Sequence, residues 1–254
     1  MLAMNSEEVA AYSLNGFVVR KNLISSKEIS LYRDRARVPI EAEIDGGSVF
    51  AKKDKDGKTS LFKRLMKADE DRYGFLGRDT RLVDLAQDAV GKPIYRYYHE
   101  MILKQPINGG AWEWHQDFGT YFTHGCLAPQ MVAIYVALDQ ATKESGCMRV
   151  LKGSHKLGRL DHVRQGEQIT VDEGQIEAAL KRFEPHYVEM EPGDAMVFDG
   201  NLLHRSDANR SSRHLWAYIC CYNAVDNAPF KHVCDYGHYE PLEKITAAAF
   251  LRSA

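Results

Sequence analysis

The sequence predicts a mainly β protein with flanking helices, arranged as a β-sandwich or jelly roll. Apolar residues alternate with a period of two after residue 94, turn signals separate these short runs, and helical patterns mostly precede them. With 254 residues and 44% hydrophobic content, the chain can bury the core of one large domain. We predict a single domain over 1–254, with a mostly helical flank (1–93), a β core (94–225) and a C-terminal extension (226–254).

The flank is predicted from capping and periodicity. Ser25-x-x-Glu28 is a capping-box pattern that starts a helix, and Gly91 is a typical helix stop. A polar, glycine-containing stretch between them predicts an exposed or mobile loop, and such a loop is a candidate lid. The predicted elements are a helix over 7–11, a strand over 16–20, a helix over about 27–43, the loop over 45–60 and a helix over 81–90.

The β core is predicted from short apolar runs bounded by turn residues. Asn108-Gly109-Gly110 and Glu191-Pro192-Gly193-Asp194 each predict a turn between two strands. The predicted strands span 94–105, 112–117, 131–138, 147–151, 186–190, 195–199 and 215–223, with a helical insert over 172–183 and a short helix in 224–254.

Composition excludes several classes of partner. A net charge of −2 and a pI of about 6.6 argue against nucleic-acid binding and against a polybasic membrane surface. The longest apolar runs, 131–138 and 215–222, are too short to span a bilayer, and the N-terminus shows no secretory signal. The five cysteines form no CxxC pair, which favours reduced thiols and a cytoplasmic location. The oligomeric state stays open.

The motif that carries the chemistry is His115-x-Asp117 within Trp112–Asp117, followed much later in the chain by His204. Two imidazoles and one carboxylate are the ligand set of a non-haem Fe(II) site with open positions. On an extended strand, residues two apart point to the same side, so His115 and Asp117 can bind the same metal ion. Such pairs are common by chance, but this one is embedded in aromatic residues that suit a dry pocket. We predict that His115, Asp117 and His204 bind one iron ion.

Several motifs together resemble the phytanoyl-CoA dioxygenase family of Fe(II)/2-oxoglutarate-dependent oxygenases. The resemblance implies a double-stranded β-helix core, which is a cupin-like jelly roll. It also implies Fe(II) at the predicted triad and the co-substrates 2-oxoglutarate and O2, with hydroxylation and release of succinate and CO2. An aspartate in the triad leaves no iron position for halide, which favours hydroxylation over halogenation. The matching stretches are Met101–Pro106, Gly109–Asp117, Ser145–Cys147, Gly153–His155, Glu191–Asp194 and His204–Asn209.

The far carboxylate of 2-oxoglutarate needs a cation, and arginine binds carboxylates through two hydrogen bonds. In the family this arginine often lies eleven residues after the distal histidine, where this chain has Leu215. We therefore predict Arg213, on the same strand face, with Arg210 as the second choice. The resemblance adds Ser206 and Tyr135 as cofactor-binding candidates. Lys104, which shares a strand face with Glu100 and Ile102, is a candidate second partner for the carboxylate. An exposed Lys104 and a purely structural Tyr135 are the alternatives.

The substrate-binding prediction names Trp114, Phe118, Tyr121 and Arg149, each of which has core packing or a structural ion pair as its alternative. Aromatic rings suit a cationic group and Arg149 suits an anionic one. The stretch His115–Phe122 is similar to ectoine hydroxylases and aminoalkylphosphonate oxygenases within the family. A small polar metabolite is the substrate that this similarity favours.

Other functions remain open from sequence alone. They are a secondary-metabolite tailoring oxygenase, an acyl-CoA hydroxylase, a non-catalytic cupin-like metal-binding or sensor protein, and a metal-dependent isomerase or dioxygenase that does not use 2-oxoglutarate. A zinc site at Cys220, Cys221, His232 and Cys234 is disfavoured because their spacing fits no zinc-finger pattern.

Overall fold

The computed structural model describes residues 4–45, 49–65, 73–231 and 237–252. Two antiparallel sheets, of seven and four strands, form a jelly roll, and a two-stranded hairpin adds to its rim. The strands of the large sheet lie in the order 17–20, 195–199, 131–137, 215–224, 94–104, 59–65 and 50–53. Those of the small sheet lie in the order 185–188, 148–151, 204–206 and 112–115, and 162–165 pairs with 168–171. The predicted mainly β fold with flanking helices is confirmed, whereas the division into a single domain stays a prediction.

The helices and strands, numbered in chain order, have the following bounds. The helices are α1 (Ser6–Asn15), α2 (Ser26–Asp45), α3 (Thr80–Val90), α4 (Asp117–His124), α5 (Glu173–Leu180) and α6 (Ala247–Arg252). The strands of the first half are β1 (Phe17–Arg20), β2 (Phe50–Lys53), β3 (Thr59–Leu65), β4 (Ile94–Lys104), β5 (Trp112–His115) and β6 (Met131–Ala137). The remaining strands are β7 (Met148–Leu151), β8 (His162–Gln165), β9 (Gln168–Val171), β10 (Pro185–Val188), β11 (Ala195–Asp199), β12 (His204–Ser206) and β13 (Leu215–Ala224).

The centre of the large sheet is buried on both faces. Every residue of β6 is buried, as is almost every residue of β13. One face packs with the helices, where Leu82 and Leu85 of α3 join the first core, and the other face joins a second core that includes Met148 and Val150 of the small sheet. Because both faces are buried, the sequences of β6 and β13 are continuous apolar runs instead of alternating patterns. No helix in the described ranges is long and apolar enough to span a membrane.

Two predicted helix ends are confirmed. At the start of α2, the Glu28 carboxylate accepts from the Ser25 backbone N–H at 3.0 Å, and the Glu28 N–H donates to Ser25 Oγ at 3.3 Å. These reciprocal bonds are the capping box. Gly91 ends α3 in the left-handed region, at φ 71°.

The prediction of a loop over 45–60 is wrong for residues 50–53 and 59–60, which lie in strands, whereas residues 54–58 form the turn between them. Residues 50–53 and 59–65 form the hairpin β2–β3 at the edge of the large sheet. Edge strands carry charged residues because one side faces water, so their sequence resembles a loop. Three other elements lie outside the predictions: the helix α4 after β5, the hairpin β8–β9 over 162–171, and the short strand β12 that begins at His204.

The turn before β11 generates a stability prediction. Gly193 has φ +93°, and a Cβ there would lie 2.1 Å from the Ile24 carbonyl oxygen. Gly57 has φ +79° but nothing within 4 Å of such an atom. Both alanine variants place a side chain on a left-handed backbone, which costs a similar amount in each. The difference between their losses in the free energy of unfolding therefore isolates the steric clash with the Ile24 carbonyl oxygen. We expect Gly193→Ala to lower the free energy of unfolding by roughly 2 kcal/mol more than Gly57→Ala, as measured by urea denaturation. Equal losses would contradict the described turn.

Candidate metal centre

The three predicted ligands converge on one point. His115 ends β5, Asp117 begins α4, and His204 begins β12. Because β12 pairs antiparallel with β5, His204 lies directly opposite His115, and the ring centroids are 4.2 Å apart. Asp117 Oδ1 lies 3.8 Å from His115 Nε2 and 3.7 Å from His204 Nε2. One ligand atom from each residue falls within 4.8 Å of the others. This is the geometry of a single-ion site.

Both imidazoles are oriented by backbone carbonyls. His115 Nδ1 lies 2.7 Å from the Glu113 carbonyl oxygen, and His204 Nδ1 lies 2.9 Å from that of Leu202. An Nδ1–H that donates to each carbonyl leaves the Nε2 lone pair directed at the shared centre. The histidines are therefore held in the tautomer that a metal requires.

Burial sets the charge of the triad. It lowers the pKa of His115 to about 3 and that of His204 to about 4, so both rings are neutral at physiological pH. Burial raises the pKa of Asp117 to about 6. Neutral imidazoles beside a desolvated carboxylate form a donor set that a divalent cation stabilises, because the cation compensates the buried negative charge.

Gln116, between two of the ligands, holds the strand end against the loop before β12. Its buried amide donates to the carbonyls of Asn201 at 2.7 Å and Gly158 at 2.8 Å, and its Oε1 accepts from the Leu160 N–H at 2.7 Å. Because Asn201 lies three residues before His204, this side chain fixes the distance between the two halves of the triad.

The predicted strand over 112–117 needs correction in two ways. The strand ends at His115, and Asp117 is already helical. The pairing with β12 also shifts register, because Ser206 pairs with Trp112 while His204 pairs with His115. This β-bulge places one extra residue in β5, so that Trp112 and His115 face the same cavity although they are three residues apart.

A cavity of about 100 Å³, here called the inner cavity, adjoins the triad. Three of the predicted cofactor-binding residues, Lys104, Tyr135 and Ser206, line it together with Leu215. Lys104 is only 2% exposed, which excludes the alternative of a solvated lysine. In the antiparallel pairing of β4 with β13, Lys104 lies directly opposite Leu215.

Arg213 does not reach the inner cavity. Its side chain is exposed and donates to Gln140 Oε1 at 2.7 Å. Arg210 is exposed as well and does not line the cavity. Arg213 lies outside the cavity because that residue precedes β13, in the turn where Asn209 and Ser211 bind its carbonyl oxygen. Sequence spacing alone did not show that the strand begins only at Leu215.

A second cavity of about 240 Å³, the outer cavity, lies against the inner one. Of the predicted substrate-binding residues, only Tyr121 lines it. The residues that line both cavities are Tyr98, Glu100, Trp112, His115 and Asp117.

Three substrate predictions do not fit this geometry. Trp114 packs in a separate core with Leu151 and Leu203, and Phe118 lies in the core between the sheets. The Arg149 guanidinium lies over the rings of Trp114 and Tyr187, at 5.9 and 5.1 Å from their centroids. Trp114 is adjacent to His115 on β5, so alternation places it on the opposite face, away from the cavities. Arg149 likewise follows the face of β7 opposite to the cavity-lining Met148.

The lining also includes residues that the sequence reasoning missed. Glu100 and Tyr98 lie on the same face of β4 as Lys104, so the period-two pattern was available as a signal. Lys52, Phe62 and Arg64 come from the hairpin β2–β3, and no sequence signal connected that segment to the triad.

A jelly roll that carries two histidines and an aspartate around one point defines the class of mononuclear non-haem iron proteins. The sequence profile of the family described as phytanoyl-CoA dioxygenase (PhyH) matches residues 12–214. The chain belongs to this family. Membership confirms the predicted enzyme class, an iron- and 2-oxoglutarate-dependent dioxygenase.

Several curated proteins are similar to this chain. L-proline trans-4-hydroxylase of Streptomyces griseoviridis is 31% identical over 164 residues, which are 58% of this chain and 61% of that protein. The chain thus spans less than two thirds of that relative. Ectoine dioxygenase of Nocardia farcinica is 26% identical over 88% of this chain and 79% of the relative. A probable alpha-ketoglutarate-dependent hypophosphite dioxygenase of Stutzerimonas stutzeri is 25% identical over 94% and 85%.

Solved structures show the same fold. The structure of EctD from S. alaskensis with 2-oxoglutarate and 5-hydroxyectoine has a TM-score of 0.78 at 22% identity, covering 96% of this chain and 88% of that one. The non-haem alpha-ketoglutarate-dependent carbocyclase SnoK from nogalamycin biosynthesis has a TM-score of 0.72 at 18% identity, covering 94% of each chain.

The triad generates a direct prediction. We expect His115→Ala to weaken Fe(II) binding more than about 100-fold, because even residues that only orient a ligand contribute 10–100-fold to affinity. The matched control is His186→Ala, since His186 is exposed, stacks on Phe17 and is not one of the three clustered ligands. Anaerobic equilibrium dialysis measures both affinities. Unchanged iron binding in His115→Ala would contradict the assigned centre.

Proposed function

We propose that this chain hydroxylates an aliphatic C–H bond of a small polar metabolite and converts 2-oxoglutarate to succinate and CO2. The observation that carries the proposal is a set of three hydrogen-bond donors, Lys104, Tyr135 and Ser206, in the inner cavity beside the triad. When bound, iron and 2-oxoglutarate supply the oxidising chemistry with O2, and the protein orients the groups around them.

Lys104 supports the proposal because it is a buried cation without a carboxylate partner among the described residues. Its ammonium group donates to the backbone carbonyl of Asp207, while burial lowers its pKa to about 7. A buried ammonium group is costly unless an anion compensates it. The far carboxylate of 2-oxoglutarate is such an anion, so we assign Lys104, rather than Arg213, to this carboxylate.

Tyr135 and Ser206 complete the proposed binding site. Neither side-chain hydroxyl has a hydrogen-bond partner in the part of the chain that the structure describes. Burial raises the pKa of Tyr135, so its hydroxyl keeps the proton and remains a donor. A lysine and two hydroxyls can bind a carboxylate through charge-assisted hydrogen bonds.

The size and lining of the outer cavity support a small polar substrate. Charged Lys52, Arg64 and Glu100 alternate there with aromatic rings, in a volume of about 240 Å³. The relatives named above act on proline, ectoine and hypophosphite, all of them small and polar. An acyl-CoA substrate lacks comparable support, because its phosphates need a basic surface patch that the net charge of −2 does not indicate. The four buried cysteines of the described ranges are reduced thiols, which supports a cytoplasmic location.

The spectrum of the anaerobic complex tests whether the centre binds both cofactors. We expect Fe(II) with 2-oxoglutarate to give a weak visible metal-to-ligand charge-transfer band, because the oxo acid chelates the iron. His115→Ala should abolish the band and His186→Ala should retain it. A wild-type protein that binds Fe(II) but gives no band and forms no succinate would favour a non-catalytic metal-binding protein.

If Lys104 binds the co-substrate, its replacement should weaken 2-oxoglutarate binding but stabilise the cofactor-free protein. Lys104→Met should prevent saturation of the charge-transfer band with 2-oxoglutarate. It should also raise the free energy of unfolding of the cofactor-free protein by on the order of 1 kcal/mol, because a buried charge is replaced by an apolar side chain of similar shape. The gain should be largest below pH 7. It should shrink between pH 7 and 10.5, where the folded protein holds Lys104 uncharged, because removing that proton costs less as pH approaches the pKa of a lysine in the unfolded chain.

The matched control for this variant is Lys181→Met, which removes an exposed lysine at the end of α5. It should change neither the band nor the pH dependence of urea denaturation. A Lys104→Met protein that binds 2-oxoglutarate as tightly as wild type would contradict the assignment.

A further inference from the structure

The hairpin β2–β3 brings positive charge to the outer cavity. Alternation along β3 places Phe62 and Arg64 on the cavity side, while Lys63 on the opposite face forms an ion pair with Glu43 at 2.7 Å. Lys52 of β2 lies beside them. The hairpin is thus a wall of the cavity and not a solvated loop.

The surroundings of Lys52 are aromatic. Its Nζ lies 5.6 Å from the ring centroid of Phe62 and 5.9 Å from that of Trp112, and these two rings pack edge to face at 5.6 Å. Among the described residues, the Lys52 ammonium group has no hydrogen-bond partner and no ion pair. Cation–π contacts at this distance contribute modestly, so the three donors of the ammonium group remain available.

The charge around Lys52 is unbalanced. Arg64 lies 4.5 Å over the Tyr98 ring and donates through Nε to Glu100 at 3.0 Å, so the carboxylate nearest to the cavity already has a cation. Burial and the charge of Arg64 lower the pKa of Lys52, while Glu100 and Glu167 raise it only in part. An anion in the cavity would relieve this repulsion.

Lys52 lines the same cavity as two of the triad residues, His115 and Asp117. Trp112 contacts the Lys52 ammonium group through its ring and lines both cavities, as do His115 and Asp117. A molecule held at Lys52 therefore lies in a space that opens directly onto the metal ligands. This is the position from which a C–H bond can face the iron.

We infer that the substrate carries an oxyanion, a carboxylate or a phosphonate, which binds Lys52 in the outer cavity and sets which C–H bond faces the triad. This inference rests on the proposed function and specifies the substrate class for that same site. It also replaces Arg149, which lies away from both cavities, as the residue that receives the anionic group.

Paired probes test the inference by calorimetry on the anaerobic Fe(II)·2-oxoglutarate complex. L-Norvaline is compared with 1-butylamine, which lacks only the carboxylate, and 2-aminoethylphosphonate is compared with ethylamine. We expect at least one anion to bind about tenfold or more tightly than its amine, as an ionic hydrogen bond provides. The pair that shows the preference identifies the oxyanion.

Lys52→Met should reduce that preference to within about twofold. Lys53→Met is the matched control, because Lys53 is the next residue on the same strand, exposed and outside both cavities, and it should keep the full preference. An intact charge-transfer band in both variants shows that fold and centre are preserved. A preference that survives in Lys52→Met, or no preference with either pair in wild type, would overturn the inference. A wild-type protein without the band would instead contradict the proposed function.

Discussion

The antiparallel pairing of β5 with β12 is the constraint on which the site depends. It sets His204 directly opposite His115, although 88 residues separate them in the chain. The buried Gln116 amide reinforces the pairing from the side, because it bonds the Asn201 carbonyl just before β12. Asp117 then needs only one further residue of chain to reach the same point. The centre is thus built on sheet hydrogen bonds, which hold ligands more rigidly than loops do.

The bulge in β5 separates two environments on one strand. Trp112 and His115 face the cavities, whereas Trp114 faces a different core under α5. Without the extra residue, strict alternation would place the two tryptophans on one face and His115 on the other. The bulge therefore gives the iron centre an aromatic wall that continues into the outer cavity.

The cation proposed for the co-substrate comes from β4 instead of β13. Lys104 and Leu215 are direct partners across these neighbouring strands, so a cation from either strand would enter the same part of the inner cavity. In this chain, the strand that offers an arginine in relatives contributes Leu215, and the buried ammonium group of Lys104 takes the space beside it. Lysine is a compact point charge on a flexible stem, which suits a position that must be reached from the adjacent strand.

Sequence reasoning succeeded where chemistry and local pattern coincide. The ligand triad follows from residue types, and β6 and β13 follow from continuous apolar runs that both faces of a central strand require. It failed where tertiary pairing decides the outcome. Arg213 has a suitable spacing but precedes the strand, Trp114 lies on the face of β5 opposite to His115, and the charged hairpin β2–β3 resembles a loop because it lies at a sheet edge.

A crystal structure grown anaerobically with Fe(II) and 2-oxoglutarate tests the central claim most directly. We expect one iron bonded to His115 Nε2, Asp117 and His204 Nε2. We also expect 2-oxoglutarate to chelate this iron and to place its far carboxylate on Lys104 Nζ. An iron bonded to fewer than these three side chains, or a far carboxylate bound by Arg213 on the surface, would contradict it.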